Sequence, residues 1–216
     1  MLSTTDLMNS DISATERPYI VASLKMLGTL LRTQPSDDAL APLFSMLKTQ
    51  GLAANWPFGS AQQLEHIQSC LFATEDLHEL DVHWQRLFIG PHHLYAPPWG
   101  SVYLDKENVI FGESSIWLGS FLRENGMYVD TGMHEPEDHI GLMFWYAAGF
   151  VEKEMDEALC TLLAQHMLPW SARYLALLKE HAQVPFYEGL AELAQLSLDS
   201  LAQRVHVQAQ DLPLFF

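Results

Sequence analysis

The sequence predicts an all-α protein: a single-domain helical bundle of about nine to eleven helices with a proline-rich, non-helical loop near residues 90–112. Two observations favour this fold class. Apolar residues recur at i, i+3 and i+4 along most of the chain, which is the pattern of helices with one buried face. The breaks between these stretches carry proline, glycine or a helix-capping residue. Residues 101–104 and 109–111 could form a short hairpin or an extended loop, and they do not indicate a sheet.

The length and composition suit one domain of somewhat above average size, or two small ones. At 216 residues, with 49% apolar side chains, the chain can fill one core. We expect this domain to span residues 14–216 and residues 1–13, which are mostly polar, to be a flexible N-terminus.

The first four helices are predicted from apolar spacing and from their end signals. We expect them at about residues 19–31, 38–50, 61–72 and 74–88. Gly51 ends the second helix, and Thr74 caps the fourth, whose first turn is acidic. Trp56 and Phe58 lie in the break before the third helix, where we expect them to fill space between helices.

The second half of the chain continues this pattern after the loop. A helix is expected from Ser114 or Ser115, and a helix from Pro136 through Phe150 is apolar nearly all round, which predicts the buried centre of the bundle. Three more helices are expected at about residues 154–167, 171–181 and 185–204. The apolar end of the chain, residues 211–216, is expected to pack back onto the bundle.

The charge balance limits the classes of partner. Acidic residues number 27 and Lys and Arg together 11, a formal charge of −16, which argues against nucleic acid or anionic lipid and favours a cationic partner. Cys70 and Cys160 lie in apolar helical contexts, as expected for thiols in a reducing compartment. Because the sequence lacks a secretory signal and a long apolar run, we expect a cytoplasmic protein with no stable membrane insertion.

The proline-rich loop is the predicted functional region. Pro97 and Pro98 fix their φ angles and lack N–H donors, so they should hold Trp99 in a stiff, extended arm. Between Asp105 and Asp138 the chain has an excess of acidic residues, which is typical of a solvated face but here lies beside a rigid aromatic arm. Functional residues concentrate in such loops on helical scaffolds.

Motifs for catalysis are mostly lacking. The sequence contains neither a phosphate-binding glycine motif nor a nucleophile elbow. His134 and His139 are five residues apart with a proline between them, so they cannot share one helical face as zinc-protease histidines do. An alternative function remains open: a metal-dependent hydrolase that uses a cluster of histidine and aspartate side chains. Its residues would be His92, His93, Asp138 and His139.

Four segments stand in order along the chain. They are 84–91 (Trp-Gln-Arg-Leu-Phe-Ile-Gly-Pro), 97–105 (Pro-Pro-Trp-Gly-Ser-Val-Tyr-Leu-Asp), 135–139 (Glu-Pro-Glu-Asp-His) and 168–171 (Leu-Pro-Trp-Ser). With this spacing, the chain from about residue 15 onward resembles the TorD/DmsD family of redox-enzyme maturation proteins, nearest to its DmsD branch of Tat proofreading chaperones.

The resemblance implies an all-helical cytoplasmic chaperone that needs no cofactor and catalyses no reaction. Such a chaperone binds the twin-arginine signal peptide of a molybdopterin-containing, DMSO-reductase-type catalytic subunit and delays its export until the cofactor is inserted. Components of the Tat translocase are possible further partners.

The residues that the resemblance assigns to signal-peptide binding come from three parts of the chain. They are Trp84, Leu87, Phe88, Pro98, Trp99, Gly100, Tyr103, Gly112, Asp138 and His139. DmsD-type sequences commonly have tryptophan where this chain has His92 and Tyr103. Tyr103 keeps an aromatic face, whereas His92 is expected to weaken the aromatic wall of the binding site.

Overall fold

A computed structural model describes residues 10–91, 93–128 and 135–216. Within these ranges the chain forms nine continuous helical segments and no β-strand, which confirms the predicted all-α class and helix number. Residues 1–9 of the predicted flexible terminus lie outside the described ranges. Residues 10–13 of that segment contact the bundle, because Ile12 is buried and the Asp11 N–H donates to the Arg204 carbonyl at 2.8 Å.

The helices have the following bounds. In chain order they are α1 Arg17–Leu30, α2 Ala41–Gln50, α3 Ala61–Leu71, α4 Leu77–Trp84, α5 Gly100–Leu104, α6 Glu113–Glu124, α7 Ile140–Glu152, α8 Asp156–Thr161, α9 Leu168–Glu180 and α10 Pro185–Arg204. Two π-helical segments extend this series: Gln85–Ile89 continues α4, and Leu162–Met167 joins α8 to α9.

Helix α7 lies at the centre of the bundle, as its apolar composition predicts, and packs most extensively on α1. The two backbones touch where Gly28 of α1 faces Gly141 of α7. A Cβ atom on Gly28 would lie 2.5 Å from the Gly141 carbonyl oxygen, so only glycine fits this crossing. The close approach fixes the start of α7, which is where the predicted site residues Asp138 and His139 lie.

Helices α3, α9 and α10 form the other half of the bundle. Trp56 and Phe58 are buried in the connection before α3, and the Trp56 indole N–H donates to the Ser197 hydroxyl of α10 at 3.0 Å. The expectation that these two side chains fill space between helices is confirmed. Cys70 and Cys160 are free thiols, and both are half-buried. Among the helices of the described ranges, none combines the length and the apolar character needed to cross a bilayer.

Four local predictions need correction. The helices expected at about residues 154–167 and 171–181 form one continuous helical segment from Asp156 to Glu180. Helix α4 is capped by Asp76, whose carboxylate accepts from the N–H groups of His78 and Glu79, and Thr74 instead lies before the cap. The helix predicted from Pro136 begins only at Ile140, because the preceding residues turn to contact the proline-rich loop. That loop also contains the short helix α5, although it was expected to be non-helical throughout.

Candidate functional site

The proline-rich loop is joined to the start of α7 by an antiparallel β-bridge between Trp99 and His139. The Ile140 N–H donates to the Pro98 carbonyl at 2.8 Å, and the Gly100 N–H donates to the Asp138 carbonyl at 3.1 Å. The Trp99 and His139 rings meet edge to face with centroids 5.9 Å apart. Residues that are forty positions apart in sequence are therefore held together, and the partly exposed Trp99 ring is fixed in place.

The buried carboxylate of Asp138 connects the elements of this junction by hydrogen bonds. Its carboxylate accepts a hydrogen bond of 2.6 Å from the Ser101 N–H in the first turn of α5 and one of 3.1 Å from the Ser115 hydroxyl of α6. The side chain is only 3% exposed. Burial raises the pKa of this carboxyl group, while the bonds from Ser101 and Ser115 oppose the shift. Asp138 thus caps α5 and ties it to α6.

His139 is the N-cap of α7. Its Nδ1 accepts from the Gly141 N–H at 3.0 Å, so the proton of the neutral ring lies on Nε2, which faces a Glu135 oxygen at 3.6 Å. Burial, reinforced by the nearby Arg32 guanidinium, lowers the pKa of His139 to about 3. The imidazole is therefore neutral at physiological pH, and the Glu135 carboxylate pairs with Arg32, whose Nε lies 3.0 Å away.

Helix α5 is anchored by aromatic packing. A Cβ atom on Gly100 would lie 2.7 Å from the Trp170 indole nitrogen, so the helix rests directly on that ring. Tyr103 is fully buried and stacks on Trp170 with centroids 5.3 Å apart, while Phe216 packs against its edge. Tyr103, expected in the peptide-binding wall, instead lies beneath the surface and supports α5.

Gly112 has a structural role in the turn before α6. The Asp105 carboxylate accepts from the Ser114 hydroxyl at 2.8 Å and from the Ser114 N–H, so it caps α6 from outside the helix. A Cβ atom on Gly112 would lie 2.0 Å from an Asp105 oxygen. Glycine is required there for Asp105 to reach the helix end.

A cleft of about 530 Å³ opens beside these elements, and we call it the α5–α6 cleft. Leu104, Trp117 and Leu118 contribute apolar surface, and the extended segment 210–215 forms the opposite side. Four carboxylates and one amine line it. They belong to Asp105, Glu107, Glu113, Asp138 and Lys106. Acidic groups and apolar side chains thus share one cleft of ligand-binding size.

The predicted packing of the chain end is confirmed in this cleft. The Phe215 N–H donates to the Tyr103 carbonyl at 2.8 Å, and the Gln210 N–H donates to the Ala164 carbonyl at the same distance. Ala164 belongs to the π-helical segment 162–167, which also places His166 in the cleft wall. Burial lowers the pKa of His166 to about 4, so this ring is neutral as well.

Three of the predicted site residues lie elsewhere. Trp84 stacks on Phe88 with centroids 6.0 Å apart, Phe88 packs against Tyr187 of α10, and Leu87 is buried beside them. None of Trp84, Leu87 and Phe88 lines the α5–α6 cleft. Of the remaining predicted residues, Gly100 and Asp138 line the cleft, and Pro98, Trp99 and His139 form the bridge next to it.

The residues of the hydrolase alternative have other partners. His93 packs against Phe216 with ring centroids 5.7 Å apart, and Asp138 and His139 cap helices. His92 lies outside the described residues. Over the described ranges, no group of three or more histidine, cysteine, aspartate and glutamate side chains is placed to hold a metal ion.

A group of exposed apolar side chains, in the turn before α6 and on α6 itself, was not predicted. We call it the 109–117 patch: Val109, Ile110, Phe111, Ile116 and Trp117. Helix α6 buries Leu118 and Leu122 and turns Ile116 and Trp117 outward. The apolar positions of α6 cover more than one face, so their spacing alone does not show which of them are exposed.

Comparisons with known proteins identify the class to which this fold and site belong. The nitrate reductase delta subunit family matches residues 54–176. The Tat proofreading chaperone DmsD of Salmonella typhimurium is 38% identical over 200 residues, which cover 93% of this chain and 97% of that protein. The chaperone protein YcdY of Escherichia coli is 31% identical over 193 residues, covering 87% of this chain and 96% of that protein.

A solved structure shares the fold. A protein of Archaeoglobus fulgidus, described as a redox enzyme maturation protein, superposes with a TM-score of 0.51 at 19% identity, over 87% of this chain and 94% of that one. Fold and relatives together define a redox-enzyme maturation chaperone. The chain belongs to the TorD/DmsD family. The prediction of a chaperone, and not an enzyme, is confirmed by this membership, and nothing in the comparisons supports the hydrolase alternative.

Proposed function

We propose that this chaperone acts in the cytoplasm, where it binds the twin-arginine signal peptide of a molybdopterin-containing, DMSO-reductase-type catalytic subunit in the α5–α6 cleft. Binding withholds the precursor from the Tat translocase until the cofactor is inserted. The observation that carries the proposal is the joint lining of this cleft by carboxylates and large apolar side chains beside Trp99. Relatives that are Tat proofreading chaperones support the same function.

The chemistry of the peptide matches this lining. A twin-arginine signal joins two guanidinium groups to an apolar segment, and guanidinium forks pair bidentately with carboxylates. Each partly exposed charge contact adds only about 0.2–1 kcal/mol, so burial of the apolar segment should supply most of the affinity. The charges would then set the position of the peptide along the cleft and its association rate. The formal charge of −16 favours the approach of a basic peptide.

Capture of the client tests the proposal. The tagged chain is used as bait in an extract of anaerobically grown cells, and bound proteins are identified by mass spectrometry. We expect a molybdoenzyme precursor that still carries its signal peptide, and we expect its yield to fall sharply with Trp99→Ala. The control is Tyr19→Ala, which removes an exposed aromatic ring from α1 on another part of the chain.

Equal recovery of the precursor with Trp99→Ala and the unmodified chain would show that the peptide binds elsewhere. Recovery of the mature enzyme without its signal peptide, at the same yield, would contradict the proposed function itself.

A further inference from the structure

The 109–117 patch is where exposed large apolar side chains are most concentrated along the described part of the chain. Its five large apolar side chains, each 43% to 61% exposed, fall within nine consecutive residues of the chain. Scattered exposed apolar residues are ordinary, but a contiguous cluster rimmed by charges marks an interaction surface. Glu107 and Glu113 precede and follow residues 109–111 in the chain, both are exposed, and we call this pair the carboxylate rim.

The loop that carries the patch is held in one shape. The Asn108 side-chain amide donates to the Val102 carbonyl at 2.8 Å, and the Asn108 N–H donates to the Asp105 carbonyl at 3.1 Å. The Asp105 carboxylate then caps α6. Phe111 has a φ of 64°, a conformation that non-glycine residues adopt rarely. The side chains of residues 109–111 therefore project from a segment whose two flanks, at Asn108 and Ser114, are hydrogen-bonded.

The patch is continuous with the α5–α6 cleft. Trp117 belongs to both, and residues 109–111 lie between Glu107 and Glu113, which both line the cleft. Glu107 and Glu113 are exposed. The Asp138 carboxylate differs from these two because it is buried and both of its oxygens already accept hydrogen bonds, from Ser101 and Ser115.

We infer that the 109–117 patch docks the apolar segment of the signal peptide, while Glu107 and Glu113 at the cleft mouth receive its two arginines and Asp138 serves as a positioning residue. The inference rests on the proposed function and assigns the two chemical halves of the peptide to two adjacent surfaces. The carboxylate rim complements the basic pair, and the apolar patch begins where that rim ends.

Three labelled peptides and fluorescence anisotropy test the inference. The first peptide is a complete twin-arginine signal, the second has serine in place of its apolar residues, and the third has Lys-Lys in place of Arg-Arg. The patch variant combines Phe111→Asn with Trp117→Gln, since asparagine tolerates positive φ. The rim variant combines Glu107→Gln with Glu113→Gln. Val82→Gln, at an equally exposed helix position outside the cleft, is the matched control.

We expect the patch variant to bind the complete peptide about tenfold more weakly and the serine peptide with nearly unchanged affinity. The rim variant should lose the preference for Arg-Arg over Lys-Lys and still respond to the apolar segment. The control should match the unmodified chain. Ile116→Gln, as a single change on the outer face of α6, gives an independent check if the patch variant unfolds.

The outcomes separate the two proposals. If the unmodified chain binds the complete peptide no better than a scrambled one, the proposed function fails and the inference fails with it. If it binds, and the patch variant binds equally well, only the inference is overturned. A patch variant that binds normally but changes a dimer into a monomer would assign the patch to contact with a second copy, which also overturns it.

Discussion

One oxygen of the Asp138 carboxylate lies 2.6 Å from the backbone nitrogen of Ser101, and this hydrogen bond connects the turn before α7 to the first turn of α5. Together with the Trp99–His139 bridge, it holds the proline-rich loop against the core. The family resemblance assigned Asp138 to signal-peptide binding. In the structure its contacts are those of a cap.

Asp138→Ala should therefore reduce stability. The change leaves the buried Ser101 N–H without an acceptor and removes the partner of the Ser115 hydroxyl, at a cost of about 2–4 kcal/mol in the free energy of unfolding. Urea denaturation measures the loss. Asp138→Asn keeps an acceptor oxygen and should cost clearly less. Equal losses for the two variants would argue against the capping role.

The stability of the chain should fall in acid, in part through His139. The pKa of this side chain is about 3 in the folded chain and about 6.5 when it is free, so the unfolded chain binds the proton first as the pH falls. The contribution of the neutral ring is fully present above about pH 6.5 and is lost progressively toward pH 3. Between pH 7 and pH 4 we expect His139 to account for a loss of roughly 2–4 kcal/mol in the free energy of unfolding.

His139→Asn isolates this contribution, because asparagine can still accept the Gly141 N–H as an N-cap. Denaturant titrations at several pH values should show that the free energy of unfolding falls less steeply in acid for the variant than for the unmodified chain. His166 contributes in the same direction and remains in both proteins. A variant as acid-sensitive as the unmodified chain would contradict the assignment.

Gly112→Ala should destabilise the turn before α6. The φ of Gly112 is −67°, which any residue can adopt, so the penalty is the collision of the new methyl group with the Asp105 carboxylate. We expect a loss of about 1–3 kcal/mol in thermal or chemical denaturation. Gly119→Ala in α6 is the matched control, since its nearest neighbours are the ends of flexible side chains and alanine favours helix. A variant at Gly112 that is as stable as the control would remove the steric explanation.

Salt should act mainly on the rate of peptide association. Long-range attraction between the acidic chain and the basic signal is screened at about 0.1 M salt and above, whereas apolar contacts are not. Stopped-flow measurements at increasing sodium chloride should show an association rate constant that falls more than the dissociation rate constant rises. An equilibrium constant with a salt dependence as steep as that of nucleic-acid binding would contradict the view that apolar contacts supply most of the affinity and charges mainly the association rate.

Sequence analysis predicted the fold well because local signals decide most of these helices. The bounds of α10 agree with the prediction, and the apolar composition of α7 correctly indicated a central position. The cap of α4 was misassigned because Thr74 and Asp76 are both good capping residues two positions apart, and only the geometry of the turn selects Asp76.

The site was harder to predict because its geometry depends on contacts between distant residues. Helix α7 begins at Ile140, and not at Pro136, because Asp138 and His139 contact the loop around Trp99. Tyr103 has no local feature that would reveal burial between Trp170 and Phe216. Trp117 has no local feature that would reveal exposure, since apolar residues on two faces of α6 leave the buried face undefined by periodicity.

Photocrosslinking tests the location of the peptide most directly. A photoreactive phenylalanine analogue replaces Trp117 at the cleft or Val82 on the exposed face of α4, and each protein is irradiated with a labelled twin-arginine peptide. We predict a strong crosslink from position 117 that an excess of unlabelled peptide abolishes, and only background from position 82. Equal crosslinking at the two positions, or a crosslink at 117 that competitor does not reduce, would contradict peptide binding in the α5–α6 cleft.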